Sequence, residues 1–289
     1  MSEKVPVSIL FATRNEEANL ERSLSAVVAW AGQVFVLDSE STDRTCDIAR
    51  LLGAEVVALE YEHGRIIPWI FQWGLDHLPI AHAWILILEA DQLVSPALRE
   101  EIAKVVTDPT ETRAGFYLKR RQIFRGRPIR FGGYGGKKLM KLFRRDAGEL
   151  DPLEQDTRVY VRGEVGSLRS SLEEWNRKED SILFYVEKHV RYAEAFAREE
   201  HRRRTEAIAF KGRSAFFGTP DERVLWQKRL WYRMPLFVRP FLYFFWRYFV
   251  KLGFLDGPKG FLFHFLQAFW FRLIVDVRLS ELREDRSEK

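Results

Sequence analysis

The sequence predicts an α/β fold, a mostly parallel sheet flanked by helices, with an amphipathic helical region at its C-terminal end. Three observations carry this. Short apolar runs alternate with helically spaced leucines and valines through the first 60 residues, the apolar run 84–88 ends directly in Glu89 and Asp91, and the composition changes near residue 220. Strand and helix in alternation are what a parallel sheet with right-handed crossovers produces. An unbroken apolar run that stops at an acid describes a strand buried on both faces, with its carboxyl end at an edge.

In chain order, residues 5–11 read as a buried strand that closes in Ala12-Thr13-Arg14-Asn15-Glu16, before Leu20, Leu24, Val27 and Val28 recur at helical spacing. Asn15 has the chemistry of an N-cap, with acids in the first turn. Residues 34–37 form a second strand, stopped by Asp38-Ser39-Glu40-Ser41-Thr42-Asp43; residues 44–52 are helical, Gly53 suits the C-terminal cap, and 55–59 form a third strand. Ser95-Pro96 opens a helix to residue 105 in the order cap, then proline. Segments 114–124 and 138–143 alternate enough to be strands. The glycine-rich 131–136 between them lacks the order of a nucleotide-triphosphate loop and reads either as a plain hairpin or as a flexible loop beside a cleft. Residues 159–161 form a strand. Residues 181–210 read as a long helix whose His201-Arg202-Arg203-Arg204 run is a solvated face.

In parallel sheets ligands sit beyond the carboxyl ends of the strands. That edge carries Thr13, Asn15, Glu16, Asp38, Ser39, Glu89 and Asp91. Positions i and i+2 of a strand share a face, so Glu89 and Asp91 can converge on one cation, for which hard oxygen ligands suit Mg2+ or Mn2+; taken alone, they read equally as two solvated acids. Asp38 stands on the strand end before the turn, placed to accept hydrogen bonds from a ligand.

Thr13-Arg14-Asn15-Glu16, then Asp38-Ser39-Glu40-Ser41-Thr42-Asp43-Arg44-Thr45, then the acid-x-acid triplet, resemble the family 2 glycosyltransferases with the GT-A (Rossmann-like) fold, over residues 5 to about 165. The resemblance implies a nucleotide-sugar donor, a UDP-sugar foremost, whose base and ribose are held by Thr13, Glu16 and Asp38, with Asn15 and Ser39 also in the donor site. It places Asp91 on a divalent metal at the diphosphate, with Glu89 in the donor site. The usual Asp-x-Asp is here Glu89-Ala90-Asp91. In the family the segment after the third strand approaches the donor, which assigns Arg65 to a phosphate. Attack on an anomeric carbon requires a carboxylate to take the acceptor's proton. Family members carry an acid shortly before a Val-x-Gly element; Asp156 fits the offset to Gly163 best, and Glu154 is second.

With 289 residues and 46% hydrophobic content the chain can hold one sizeable domain, residues 1–220, plus an appendage, 221–289. A single cysteine, Cys46, excludes an intramolecular disulfide and fits a reducing compartment. The N-terminal residues do not read as a signal peptide, and the expected location is the cytoplasm. Net charge is +5, but residues 226–276 alone carry eight Lys/Arg against two Asp, with 18 of the 41 aromatics. Phe237, Phe241, Phe245 and Phe249 lie four apart beside a stripe of Arg239, Tyr243, Arg247 and Lys251, giving an amphipathic helix ending near Gly253; a second starts at Gly257-Pro258. Neither offers about 20 uncharged apolar residues, so neither is expected to span a bilayer. The expectation is peripheral contact with the inner membrane, with packing on the catalytic domain as the other possibility. The chain therefore reads as an inverting, metal-assisted glycosyltransferase of lipopolysaccharide-core or lipid-linked glycan type. A non-catalytic nucleotide-sugar-binding or membrane-binding protein is the alternative. Nucleic acid is excluded as a partner because the strand-end acids would repel its phosphates.

Overall fold

The computed structural model describes residues 4–60 and 67–287. The chain divides into two compact units, residues 1–120 with 138–177, and residues 121–137 with 178–289. The elements in chain order are β1 Val5–Thr13, α1 Glu17–Val28, β2 Ala31–Asp38, α2 Thr45–Leu51, β3 Glu55–Ala58, α3 Ile67–His77, β4 Trp84–Glu89, β5 Gln92–Val94, α4 Pro96–Val106, β6 Gly115–Phe124, β7 Arg127–Pro128, β8 Lys138–Arg144, β9 Gly148–Leu150, β10 Val159–Val161, β11 Val165–Glu174, α5 Ile182–Thr205, α6 Pro220–Arg233, α7 Arg239–Phe245, α8 Gly257–His264 and α9 Phe271–Ser287.

The first unit is built on a mixed sheet of order β3-β2-β1-β4-β8-β6-β11-β5. β3, β2, β1 and β4 are parallel, as the alternation of strand and helix requires. Beyond β4 the sheet turns antiparallel: β8 pairs antiparallel with β4 and β6, and β5 with β11. The apolar runs are continuous because both faces are covered. Ile9, Phe11, Leu86 and Leu88 pack with Leu20 and Leu24 of α1 and Leu98 of α4. Leu10, Ile85 and Ile87 point the other way, onto Phe71 of α3 and Phe143. Each such side chain contributes about 1.5–3 kcal/mol by leaving water.

Some elements escaped the sequence pattern. In β11 the buried Leu168 and Leu172 share a face with Ser170 between them, so the apolar alternation is interrupted. Before α6, Thr219 and Glu222 form a reciprocal capping box with Pro220 in the first turn, so the composition change near residue 220 coincides with a helix start. Asn15 does not cap α1. It adopts a left-handed φ of 53°, and α1 starts without a side-chain cap.

The second unit is helical and begins earlier in the chain than the composition change near residue 220. Phe271, Val275 and Leu279 of α9 pack on Ala193 and Ala197 of α5, small residues that let the helices approach closely. The helical run Gly253–Glu284 is long and apolar enough to cross a membrane by length and composition, which corrects the expectation that no tail segment is. Of its apolar window 44% is buried inside the protein.

The basic stripe of the tail is corrected more sharply. Arg239 is fully buried, its Nε 2.7 Å from Asp276 Oδ1 and its NH1 2.9 Å from Glu200 Oε1. Arg247 stacks 4.3 Å over Tyr134 and donates to the Tyr243 hydroxyl. Of the three expected at a membrane surface, only Lys251 is exposed. Helical spacing shows which residues share a face, while the acids at 200 and 276, distant in sequence, decide that this face turns inward. In the 201–204 run, likewise, Arg203 is buried against Glu199. The glycine-rich loop is pinned to the tail helices. The Gly132 N–H donates to Lys251 O, those of Arg130 and Phe131 donate to Asp256, and a Cβ on Gly132, at φ +63°, would lie 2.0 Å from the His264 ring.

Candidate active site

Parallel register brings the expected donor residues to one edge of the first unit. Thr13 pairs with Asp38 across β1 and β2, and Ala12 pairs with Glu89 across β1 and β4. The two loops that leave β1 and β2 are then stitched together. The Asn15 N–H donates to Ser41 Oγ at 2.8 Å, while Asn15 Oδ1 accepts from the Thr42 N–H at 2.8 Å. The Glu16 N–H donates to Thr45 Oγ1 at 2.7 Å, and Asp43 accepts from the N–H groups of Glu17 and Thr45. The polar residues of the two motifs therefore hold each other, which explains why small hydroxyl and carboxylate side chains are required at this spacing.

Asp38 is central to that stitching. It is buried, and its carboxylate accepts from the Thr13 hydroxyl at 2.9 Å and from both the N–H and hydroxyl of Ser41 at 2.8 and 2.6 Å. It shapes the turn, beyond the ligand-accepting role expected of it. Ser39 is also buried, its N–H donating to Thr13 O at 2.9 Å. Burial first, and Asp38 next, push the neighbouring Cys46 thiol up to about 11, which favours its protonated form at neutral pH. Glu16 is half-buried, with Oε2 accepting from Asn19 at 2.7 Å, and Arg65 lies outside the described residues.

The acid pair is asymmetric. Glu89 Oε1 lies 3.1 Å from Nζ of Lys141, a lysine fully buried in the middle of β8, and its N–H donates to Gln92 Oε1. Gln92 in turn donates to Glu174 at 3.0 Å, and Glu174 pairs with Arg120 at 3.0 Å. Glu89 thus belongs to a polar network that joins β4 to β8 through Lys141 and, through Gln92 of β5, to β11 and β6. The sequence reading missed Lys141, Gln92, Glu174 and Arg120. The one signal was a lysine inside the otherwise apolar Leu139-Met140-Lys141-Leu142-Phe143. Asp91 follows on the turn between β4 and β5, its carbonyl accepting from the Trp175 N–H at 3.0 Å and its side chain half-buried.

Among the described residues no three His, Cys, Asp or Glu side chains are grouped to hold a metal. Mg2+ and Mn2+ commonly need only one or two carboxylates when phosphate oxygens and water complete the shell. Asp91, half-buried on the turn after β4, has the hard oxygen such an ion takes, and Glu89 has it too but already shares Oε1 with the Lys141 ammonium.

The two candidate bases differ in surroundings. On the loop between β9 and β10, Glu154 is buried, ion-paired with Arg158, and accepts from the Tyr160 hydroxyl at 2.7 Å. Burial first, and the Glu154 charge next, raise the Tyr160 phenol above its ordinary range, which keeps that donor protonated. Asp156, with its side chain 42% exposed, is 4.0 Å from Arg158. Of these two carboxylates Asp156 is the exposed one and Glu154 the buried one.

Curated relatives of the chain are named as glycosyltransferases. An uncharacterized glycosyltransferase of Rickettsia bellii is 34% identical over 110 residues, 37% of this chain and 35% of the relative. One of Rickettsia prowazekii is 30% identical over 124 residues, 42% and 40% of the two chains. The similarity thus spans well under half the length of these relatives. No family model matches. Among solved structures, glucosyl-3-phosphoglycerate synthase from Mycobacterium tuberculosis, in complex with Mn2+, UDP and glucosyl-3-phosphoglycerate, is 13% identical over 74% of this chain and 84% of that one, with a TM-score of 0.43. S. aureus TarS 1-349 is 13% identical over 96% and 91%, with a TM-score of 0.42.

Proposed function

We propose that this chain is an inverting glycosyltransferase that moves a sugar from a nucleotide-sugar to a hydroxyl of a membrane-associated glycan or glycolipid. The observation that carries the reading is the alignment of Thr13, Asp38 and Glu89 across three parallel strands, with Asp91 two residues beyond. The sequence similarity to bacterial glycosyltransferases supports it. In this reading the stitched loops form the wall for the base and ribose of a donor, a UDP-sugar foremost. Asp91 would hold Mg2+ or Mn2+, which when bound would supply positive charge to the departing nucleoside diphosphate. Asp156 accepts the proton of the acceptor hydroxyl as that oxygen attacks the anomeric carbon, and Glu154 fixes Arg158 beside it. Family 2 membership, a hexosyl donor, a lipopolysaccharide-core or other lipid-linked acceptor, and a place on the cytoplasmic face of the inner membrane belong to the same proposal. So does the division of labour between residues 1–220 and a membrane-contacting 221–289.

The Glu89–Lys141 pair favours one second reading, a nucleotide-sugar-binding protein without turnover. Thermal shift with nucleoside diphosphates and Mn2+, followed by turnover of nucleotide-sugars, separates the two. Binding and turnover are expected, with Asp91→Asn losing the Mn2+-dependent part of the shift because the amide lacks the charge a divalent ion needs. A Mn2+-dependent shift unchanged in that variant refutes the metal assignment, and binding without turnover of any donor supports the second reading.

A further inference from the structure

The second unit exposes a run of large aromatic side chains. Phe241, Phe245, Trp246 and Phe249 along α7 and its continuation are each about half exposed, and Phe254 and Leu255 extend the same apolar surface through the turn toward α8. Monomeric soluble proteins rarely leave contiguous apolar patches of more than a few hundred Å2, and larger ones mark a partner. The hairpin is built to hold this face outward. Its arms zip through Phe241–Phe269, Phe244–Phe265 and Tyr248–Phe261, with ring centroids 4.7, 6.3 and 5.6 Å apart, and Leu252 at a φ of 58° turns the chain back.

The charges around the face are arranged with equal care. Arg239 and Arg247, which share the helix with the phenylalanines, are spent inside the unit on Glu200, Asp276 and the rings of Tyr134 and Tyr243. A different basic set lies at the turn end. Arg125, Arg127 and Arg130 are exposed on the β6–β7 hairpin and the loop that follows. Lys259 Nζ donates to Arg125 O at 2.7 Å, the Arg130 N–H donates to Asp256, and Lys251 O accepts from Gly132, which together anchor that set to the turn. An aromatic face bordered by arginines and lysines matches the hydrocarbon boundary and the anionic headgroups of one leaflet. In a self-paired dimer each basic border would meet its like-charged copy.

We propose that residues 237–265 form a monotopic wedge. The α7–α8 hairpin lies flat in one leaflet of a phospholipid bilayer, held by its aromatic face, with Arg125, Arg127 and Arg130 at the headgroups. Residues 239–250 span about 18 Å as a helix against a hydrocarbon core of about 30 Å, so this arm lies in the interface without crossing it. Binding depends chiefly on the aromatic face, and the arginine stripe of α7 takes no part. The inference rests on the membrane contact proposed above for residues 221–289 and deepens it, and because its binding is measured with neither donor nor turnover, its failure is distinguishable from failure of the transferase reading.

The test is cosedimentation of the full chain with vesicles of phosphatidylcholine, with and without 30 mol% phosphatidylglycerol, at 0.1 and 1 M NaCl. Wild type is expected on both, several-fold tighter on the anionic vesicles, with 1 M NaCl removing that preference and leaving the neutral binding. Phe241→Ser/Phe245→Ser/Phe249→Ser should lower partitioning at least tenfold on both compositions, and Arg125→Ser/Arg127→Ser/Arg130→Ser should remove only the anionic preference. Should the triple serine variant melt early, brominated lipid offers a second readout: quenching of wild-type tryptophan fluorescence that is reduced in Trp246→Phe supports the wedge, and quenching unchanged in that variant refutes it. Wild-type-like binding by a folded serine variant overturns the proposal. So does complete release by 1 M NaCl, or a solution dimer that the serine variant splits while wild type ignores vesicles.

Discussion

Replacing Glu89 with glutamine tests the site from its least ordinary feature. Lys141 is fully buried and its ammonium lies 3.1 Å from Glu89 Oε1, while the Glu89 side chain keeps 29% of its surface. Breaking a fully buried pair by removing one partner costs about 3–5 kcal/mol, because the remaining charge is left uncompensated. Here the carboxylate touches solvent and a glutamine oxygen still accepts from Nζ, which lowers the figure to about 2 kcal/mol, or about 5 °C in melting temperature for a domain of this size. Lys141→Met keeps the stem and removes the buried charge, so it should cost less, about 1 kcal/mol. The double variant should recover part of the loss, giving a coupling of about 1 kcal/mol or more in the cycle. Thermal and urea unfolding of the four proteins supply these quantities, and Mn2+-dependent binding of nucleoside diphosphate supplies the functional arm. Zero coupling refutes the pairing. Loss of Mn2+ dependence in a folded Glu89→Gln protein would show that Glu89 ligates the metal and that the division of labour with Asp91 is wrong.

Two other outcomes follow from the structure. Asp156→Asn should leave donor affinity and stability near wild type while lowering turnover about 100-fold or more, whereas Glu154→Gln should destabilise by about 2–4 kcal/mol through the stranded Arg158; steady-state kinetics and unfolding separate them, and the reverse pattern would move the base to Glu154. Burial first, and Arg247 next, depress His264 from 6.5 to about 4, so above pH 6.5 both folded and unfolded chains hold it neutral. Below pH 6.5 the unfolded chain binds the proton and the folded one does not. Stability should therefore fall from pH 6.5 toward pH 4, by up to about 3 kcal/mol, and His264→Phe should flatten that part of the melting-temperature profile.

The sequence by itself determined the parallel half of the sheet and its functional edge. A strand covered on both faces has to be apolar throughout, as residues 84–88 are, and the acids that end it can only lie at the carboxyl edge. It also placed Thr13, Asn15 and Asp38 at that edge, whereas the bonds that join them to Ser41 and Asp43 across the two loops are a finding of the structure. Tertiary structure alone decided the fate of individual charges. Lys141 and Glu89 are 52 residues apart and meet only when β8 joins β4. Arg239 faces Glu200 and Asp276, 39 and 37 positions away, and is lost to the surface that its helical spacing suggested. Local periodicity reports which side chains share a face of an element. Which face meets solvent is settled by burial and charge pairing summed over residues remote in the chain, and no window of neighbours contains that sum.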